Sequence, residues 1–453
     1  MAKDKKTSAD AAPIYDAREL GVPKMLLLGL QHLFAMFGAT VLVPALTGLS
    51  VSATLLFAGL GTLLFHLITG RKVPAFLGSS FAFLGAYGLI AASGQDIPLT
   101  YSSFGVACAG LLYLVLALLF RIFGTKKVMR FFPPIVTGPV IIAIGLTLSQ
   151  FAVDSCANNW LVAVAAILVV VILNIWGKGM IKIIPILLGV VVSYLFSMAV
   201  DPASRAVVAE KVSEAKWIGL PVLWGNTGLS IFGEGFDGGM LITSIITIMP
   251  IALATMVEHI GDICAISSTV GKNYVADPGL HRTLLGDGLA TTVAALFGAP
   301  ANTTYGENTG VLALTKVFDP RVIRIAAVFA VILSFCPKFA ALVAAMPTAT
   351  MGGVSLVLYG MISAVGVRNV VENQVDFTKT RNVIIAALIL VLAIGIKYSA
   401  AGYIIIPIGS VSISLSGIAV AAIVGIVLNA ILPGKDYEFG MNLQGDTSVD
   451  FKV

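Results

Sequence analysis

The sequence predicts an all-α polytopic membrane protein, with fourteen transmembrane segments arranged as two inverted repeats of seven. Three observations carry this expectation. Of the 453 residues, 58% are hydrophobic and only 11% charged, and mean hydropathy is +0.98; a soluble chain of this length must cover itself with charge. The apolar residues form continuous runs of about 20, the length of a helix that crosses a bilayer, and not the alternating pattern of about ten that a β-barrel shows. Three carboxylates, Glu258, Asp262 and Glu307, sit inside such runs, where charge is costly and marks a functional site.

In chain order, residues 1–23 are polar and basic, with no short apolar core or cleavage site; they read as a cytoplasmic tail and not a signal peptide. Apolar segments then fall at about 24–47, 51–69, 81–94, 103–123, 133–153, 159–176 and 181–200. A more polar stretch, 201–240, follows, with room for a short surface helix. Seven further segments fall at about 241–268, 283–298, 307–317, 322–346, 350–367, 381–399 and 411–432, before a C-terminal tail at 433–453. The third and tenth are short for a full crossing. Each follows an extended Pro-led stretch, Pro74-Ala75-Phe76-Leu77-Gly78-Ser79-Ser80 and Pro300-Ala301-Asn302-Thr303-Thr304-Tyr305-Gly306. Aligned from Pro74 on Pro300, these place Phe81 opposite Glu307. An odd number of segments per repeat inverts the second copy, and broken segments at matching places in two halves point to a transporter binding site.

The charge pattern sets the topology. With the N-terminus inside and fourteen crossings, sixteen loop Lys and Arg residues, from Arg71 and Lys72 to Lys379 and Arg381, fall inside, while the short outer loops hold only Lys338 and Lys397. That asymmetry decides orientation and puts both termini in the cytoplasm. The net charge of +5 is scattered through loops and does not form a nucleic-acid surface. The four cysteines are dispersed and make neither a metal cluster nor a disulfide framework.

Glu258 and Asp262 are four residues apart and share one helix face. Two carboxylates so close rarely both ionise, so one could carry a proton; Asp262 could instead bond a neighbouring helix. Glu258 can accept hydrogen bonds from two ring N–H groups. Glu307 reads as a ligand or proton site, or as a cap on the half-helix that follows. The two extended stretches carry unpaired backbone groups that lipid cannot satisfy; they could cross and pair with each other. The half-helices behind them, beginning near Phe81 and Glu307, would then direct free N–H groups at one spot, suited to the carbonyl oxygens of a planar polar molecule. His32 is either a bonded packing residue or a proton relay partner. His259 points about 100° from Glu258 and is expected to contact another helix, and Asp287 is deep, with pairing and function both open. No His-Glu-x-x-His, Gly-x-Ser-x-Gly or metal cluster occurs, so an enzyme is not expected.

The runs Gln31-His32-Leu33-Phe34-Ala35-Met36-Phe37-Gly38-Ala39-Thr40, Gly78-Ser79-Ser80-Phe81-Ala82-Phe83 and Asn302-Thr303-Thr304-Tyr305-Gly306-Glu307-Asn308 resemble the nucleobase–ascorbate transporter family, also called nucleobase–cation symporter family 2, and within it the bacterial uracil permeases. The resemblance spans roughly 20–432. It implies a core domain, 24–123 with 241–346 (segments 1–4 and 8–11), and a gate domain, 124–200 with 347–432 (segments 5–7 and 12–14). It also implies a homodimer built through the gate domains and proton-coupled uptake with no cofactor. Glu258 and Glu307 match the substrate-binding glutamates, Phe81 and Gly306 match positions whose backbone meets the base, and Tyr359 matches a gate tyrosine facing the site. Tyr305 or Phe81 would pack on the ring, and His32 matches a histidine linked to proton coupling. Asp262 stands where one uracil permease of the family has a His and matches xanthine-type members, whereas the Glu at 307 departs from the Gln usual in xanthine and urate branches. The expected function is uracil:proton symport in the bacterial cytoplasmic membrane. A purine symporter of the same family is one alternative. An anion exchanger of the same architecture is another, which Glu258 and Glu307 would repel unless protonated.

Overall fold

Apolar helices, several begun on a capping residue or proline and some stopped at glycine, form the scaffold of the computed structural model, which describes residues 12–85, 87, 98–233, 235–408, 411–435 and 437. Helix α1 (Val22–Thr47) starts with Pro23 in its first turn and stops at Gly48, a left-handed position (φ 80°), where glycine carries no Cβ penalty. Helix α2 (Val51–Ile68) is capped by Ser50, whose side chain accepts from the Ala53 N–H. Strand β1 (Leu77–Ser79) follows. Of the expected third segment, only Leu84, Gly85 and Tyr87 are helical among the described residues; positions 86 and 88–94 lie outside them, as do 1–11 of the N-terminal tail and most of 433–453. Helices α3 (Leu99–Phe123), α4 (Pro134–Ala157), α5 (Trp160–Trp176) and α6 (Pro185–Val200) come next. A single helical turn, Met180–Ile183, begins where the sequence segment does, and Pro185 interrupts the run because its predecessor Ile184 is held out of the helical region.

The stretch 201–240 carries the surface helix α7 (Pro202–Glu214), bent 114° from α6 and capped by Asp201, which accepts from the Ala203 and Ser204 N–H groups. Helices α8 (Gly238–Ile248) and α9 (Ala252–Val270) flank a short turn at Met249–Ile251 that holds Pro250, then come α10 (Leu280–Leu296), strand β2 (Asn302–Thr304) and α11 (Gly306–Thr315). Two expectations are corrected beyond this point. Segment 322–346 is not one helix but α12 (Pro320–Ser334) and α13 (Pro337–Ala344), bent 89° where Pro337 interrupts the ladder. Segment 411–432 is helical only as α16 (Gly417–Ile431). Its first six residues form strand β4 (Val411–Ser416), antiparallel to β3 (Tyr403–Ile408). The alternation of serine with Val, Ile and Leu over 411–416 is a period-two pattern that a helix cannot use, so the protein is mostly, not wholly, helical. Between these lie α14 (Thr348–Glu372) and α15 (Thr380–Lys397).

Among the described residues, seven helices are long and apolar enough to cross a membrane, or nine if each bent pair is one span, and α5 and α16 are shorter apolar helices. They pack in two groups. In the first, α2 lies against α10 and α12, α10 against α3, and α1 against α12; in the second, α4 lies against α14, α15 against α16, and α5 against α6 and α14.

The described end of the N-terminal segment is not a free tail. The Tyr15 hydroxyl donates to the Val270 carbonyl at 2.8 Å, Ile14 bridges Val317, and the Ala17 N–H donates to Asp319. Arg321 reaches both Asp16 and Asp319, and Arg18 beside Asp16 holds that carboxyl well below the usual carboxylate range. This strap joins the end of α9 to the start of α12.

The strands β1 and β2 sit where their backbones can be satisfied only by neighbours. Thr62 on α2 accepts from the Leu77 N–H at 2.9 Å and donates to the Leu77 carbonyl at 3.3 Å. Thr291 on α10 does the same for Asn302, at 3.2 and 3.0 Å. Replacing Thr62 with Val strands both buried groups and should cost about 1–3 kcal/mol. Thermal unfolding in detergent should show a lower Tm for Thr62→Val and near-parental behaviour for Thr62→Ser; equal melting of all three would contradict the bracket.

Candidate functional site

Two extended stretches from distant parts of the chain meet here. Strand β1 pairs antiparallel with β2 in the register Leu77–Thr304, Gly78–Thr303 and Ser79–Asn302. Two more bonds lengthen the ladder: the Ser80 N–H donates to the Ala301 carbonyl at 2.8 Å and the Tyr305 N–H to the Phe76 carbonyl at 3.0 Å. The crossing anticipated from the matched Pro-led stretches is therefore a short, buried two-stranded sheet. His66 steadies its approach by bonding the Ala75 carbonyl at 2.9 Å.

The sheet needs close contact to hold Tyr305. The Tyr305 ring lies over Gly78, where a Cβ would come within 2.4 Å of the ring carbons. Its hydroxyl donates to the Ser79 carbonyl at 2.9 Å, so the ring buttresses the sheet and its polar end is already engaged.

Past Tyr305 the chain turns into α11, whose N-terminus has no side-chain cap. The first N–H groups of a helix are unpartnered and carry the positive end of its dipole. Gly306 is exposed, with nothing within 4 Å of where a Cβ would stand, so these donors face open space. That space is a cavity of about 340 Å³ lined by Phe81, Glu258, Asp262, Tyr305, Gly306 and Glu307, with Phe34 and Ile141 on its walls, and it reaches Asn174 and Lys182. A cavity of this size admits a small planar solute.

The three carboxylates singled out by sequence thus converge on one cavity, each half-buried. Asp262 is held in place: Thr304 donates to its Oδ2 at 2.7 Å, tying α9 to β2. Glu258 and Glu307 approach the cavity from α9 and from the first turn of α11. As its angle on α9 implied, His259 turns away and meets Asp287 of α10 at 3.0 Å, both fully buried. That contact explains the deep Asp287 as a partner between helices.

His32 is fully buried and does not line the cavity. The Asn308 amide lies 3.1 Å from its Nδ1 and donates to its carbonyl at 3.1 Å, so His32 joins α1 to α11 beside Glu307. Tyr359 stands behind Phe81, in edge contact at 5.6 Å between ring centroids. Phe81 lines this cavity, while its neighbour Ala82 lines a second cavity of about 450 Å³ with Thr147, Asp154 and Lys397. Thr304, Asn308, Thr62 and Thr291 escape the sequence reading as holders of the site. The first two lie inside the Asn302–Asn308 run and could have been found there; the threonines on α2 and α10 resemble any buried hydroxyl.

A permease-family sequence profile matches residues 23–402. The chain is 42% identical to the uracil permease of Bacillus caldolyticus over 93% of its own length and 95% of that protein's. It is 39% identical to the uracil permease of Bacillus subtilis, over 92% and 94%. Among solved structures, the transmembrane domain of the cyanobacterial bicarbonate transporter BicA superposes with a TM-score of 0.59 at 16% identity, covering 92% of this chain and 99% of that one; at that identity the likeness is one of fold.

Gly78→Ala should force the Tyr305 ring off the sheet, at a cost of about 1–3 kcal/mol typical of overpacking. A lowered Tm in detergent is expected, and parental melting would show that the ring has room to move.

Proposed function

This chain belongs to the nucleobase–ascorbate transporter family of permeases, and on that premise we propose that it imports uracil together with a proton. It is a multi-pass membrane transporter and not an enzyme, as its relatives are. The observation that carries the proposal is the convergence of Glu258, Asp262 and Glu307 on one cavity at the uncapped N-terminus of α11. Uracil presents ring N–H donors and carbonyl acceptors on one planar edge. Glu258 accepts from the N–H groups, the N–H groups at Gly306 and near Phe81 donate to the carbonyls, and Phe81, backed by Tyr359, packs on the ring face.

Charge balance supplies the coupling. Three carboxylates share a small space, and a proton entering with the neutral base offsets their repulsion. Asp262, Glu307 and Glu258 are the proton-carrying groups of this reading, and His32 acts through Asn308 on the helix that carries Glu307. On this reading fourteen crossings form two inverted repeats, with a core of segments 1–4 and 8–11 and a gate of 5–7 and 12–14; the two packing groups of helices support the division into core and gate. The core rocks against the gate around the fixed site, in a homodimer joined through the gates with both termini in the cytoplasm. The two cavities, one lined by Phe81 and the other by its neighbour Ala82, fit a path that opens alternately.

A purine such as xanthine is the competing cargo, favoured by Asp262 and opposed by Glu307. In proteoliposomes, labelled uracil should accumulate under an inward proton gradient and resist competition by xanthine. Glu258→Gln gives up a charged hydrogen bond worth about 1.5–3 kcal/mol, a rise of roughly 10- to 150-fold in KM, with melting unchanged. Normal uptake by Glu258→Gln would refute the site, and displacement by xanthine the cargo. Gly306→Ala gives a second check. Its methyl enters open space, so Tm should hold while KM for uracil rises; unchanged KM would mean that the base does not approach this backbone.

A further inference from the structure

The stretch Trp217-Ile218-Gly219-Leu220-Pro221-Val222-Leu223-Trp224 lies within what composition reads as an aqueous loop, yet it contains no charge. Trp217, Ile218 and Leu220 are 71%, 82% and 78% exposed. With Leu223 and Trp224, also exposed, five large apolar side chains within eight residues turn outward, which is uncommon on a water-facing surface.

The strip is fixed in place. The Gly219 N–H donates to the Phe335 carbonyl at 3.1 Å and the Lys338 N–H to the Lys216 carbonyl at 2.9 Å. Gly219 also lies against Pro337, whose Cγ would be 2.6 Å from an added Cβ. The strip is therefore pinned to the corner where α12 bends into α13. Helix α12 has 15 residues, about 22 Å at 1.5 Å per residue, and its other end is marked by Arg321 and Arg324. A bilayer's hydrocarbon layer is about 30 Å thick. A helix this short, basic at one end, leaves its opposite corner below the far lipid surface.

We propose that residues 217–224 are an interfacial anchor immersed in the outer edge of the lipid leaflet, filling the depth that α12 does not span. The two tryptophans sit where indoles collect, at the boundary of tails and headgroups. Lys216 is exposed beside them and Lys338 lies 4.8 Å over the Trp217 ring, so both ammonium groups stand at the level of lipid phosphates.

The chain has four tryptophans, and Trp160→Phe with Trp176→Phe leaves only Trp217 and Trp224 to report. This variant is reconstituted into phosphatidylcholine–phosphatidylglycerol vesicles, with lipids brominated along the acyl chain or unbrominated. Emission should fall by about a third or more with brominated lipid, and aqueous iodide should quench weakly, as expected of interfacial indoles. Strong iodide quenching with no bromine effect would place the strip in water and overturn the proposal. Insensitivity to both quenchers, with emission that changes as protein is diluted in lipid, would show a second copy covering the strip and would overturn it equally.

Discussion

The backbone ladder between β1 and β2 is the constraint on which the rest depends. An extended chain inside an apolar scaffold has N–H and C=O groups that lipid cannot satisfy, each costing several kcal/mol. Here each stretch answers the other, and Thr62 and Thr291 take up the edge groups of Leu77 and Asn302. Once that pairing is made, the position of Glu307 follows, because only Tyr305 and Gly306 separate it from the strand. Phe81 is placed in the same way from the other side. The site is rigid on the strand side because the sheet cannot slip without orphaning buried groups.

Around the sheet, polar side chains work in pairs across helices. Thr304 fixes Asp262, Asn308 fixes His32, and His259 meets Asp287. Each ties two elements that hydrophobic packing alone would leave free to slide. The apolar surface gives the helices their burial and these few bonds give them their register.

Much of the fold and most of the site were legible because their signals are local. Carboxylates within apolar runs, Pro-led interruptions and a four-residue spacing on one helix face are visible in a single sequence. The crossing of the two strands was legible because matching pieces recurred. What was missed depends on competition between periods or on distant partners. At 411–416 high hydropathy hid a serine alternation that folds as a strand. At Cys336-Pro337 an apolar run of sufficient length concealed a break of 89°. No local pattern could show that the threonine at 62 faces Leu77, a residue 15 positions further along the chain.

The distance in sequence between the paired strands has a bearing on how the molecule is made. Tyr305 lies 226 residues after Ser79, so the ribosome finishes the first strand long before its partner exists. During that interval Thr62 can already hold the Leu77 groups, but the amide and carbonyl groups that β2 answers still lack their mates. The sheet beside the candidate site is thus completed only after about two thirds of the chain has been made, and a cut between the halves would leave each fragment without the strand it pairs with.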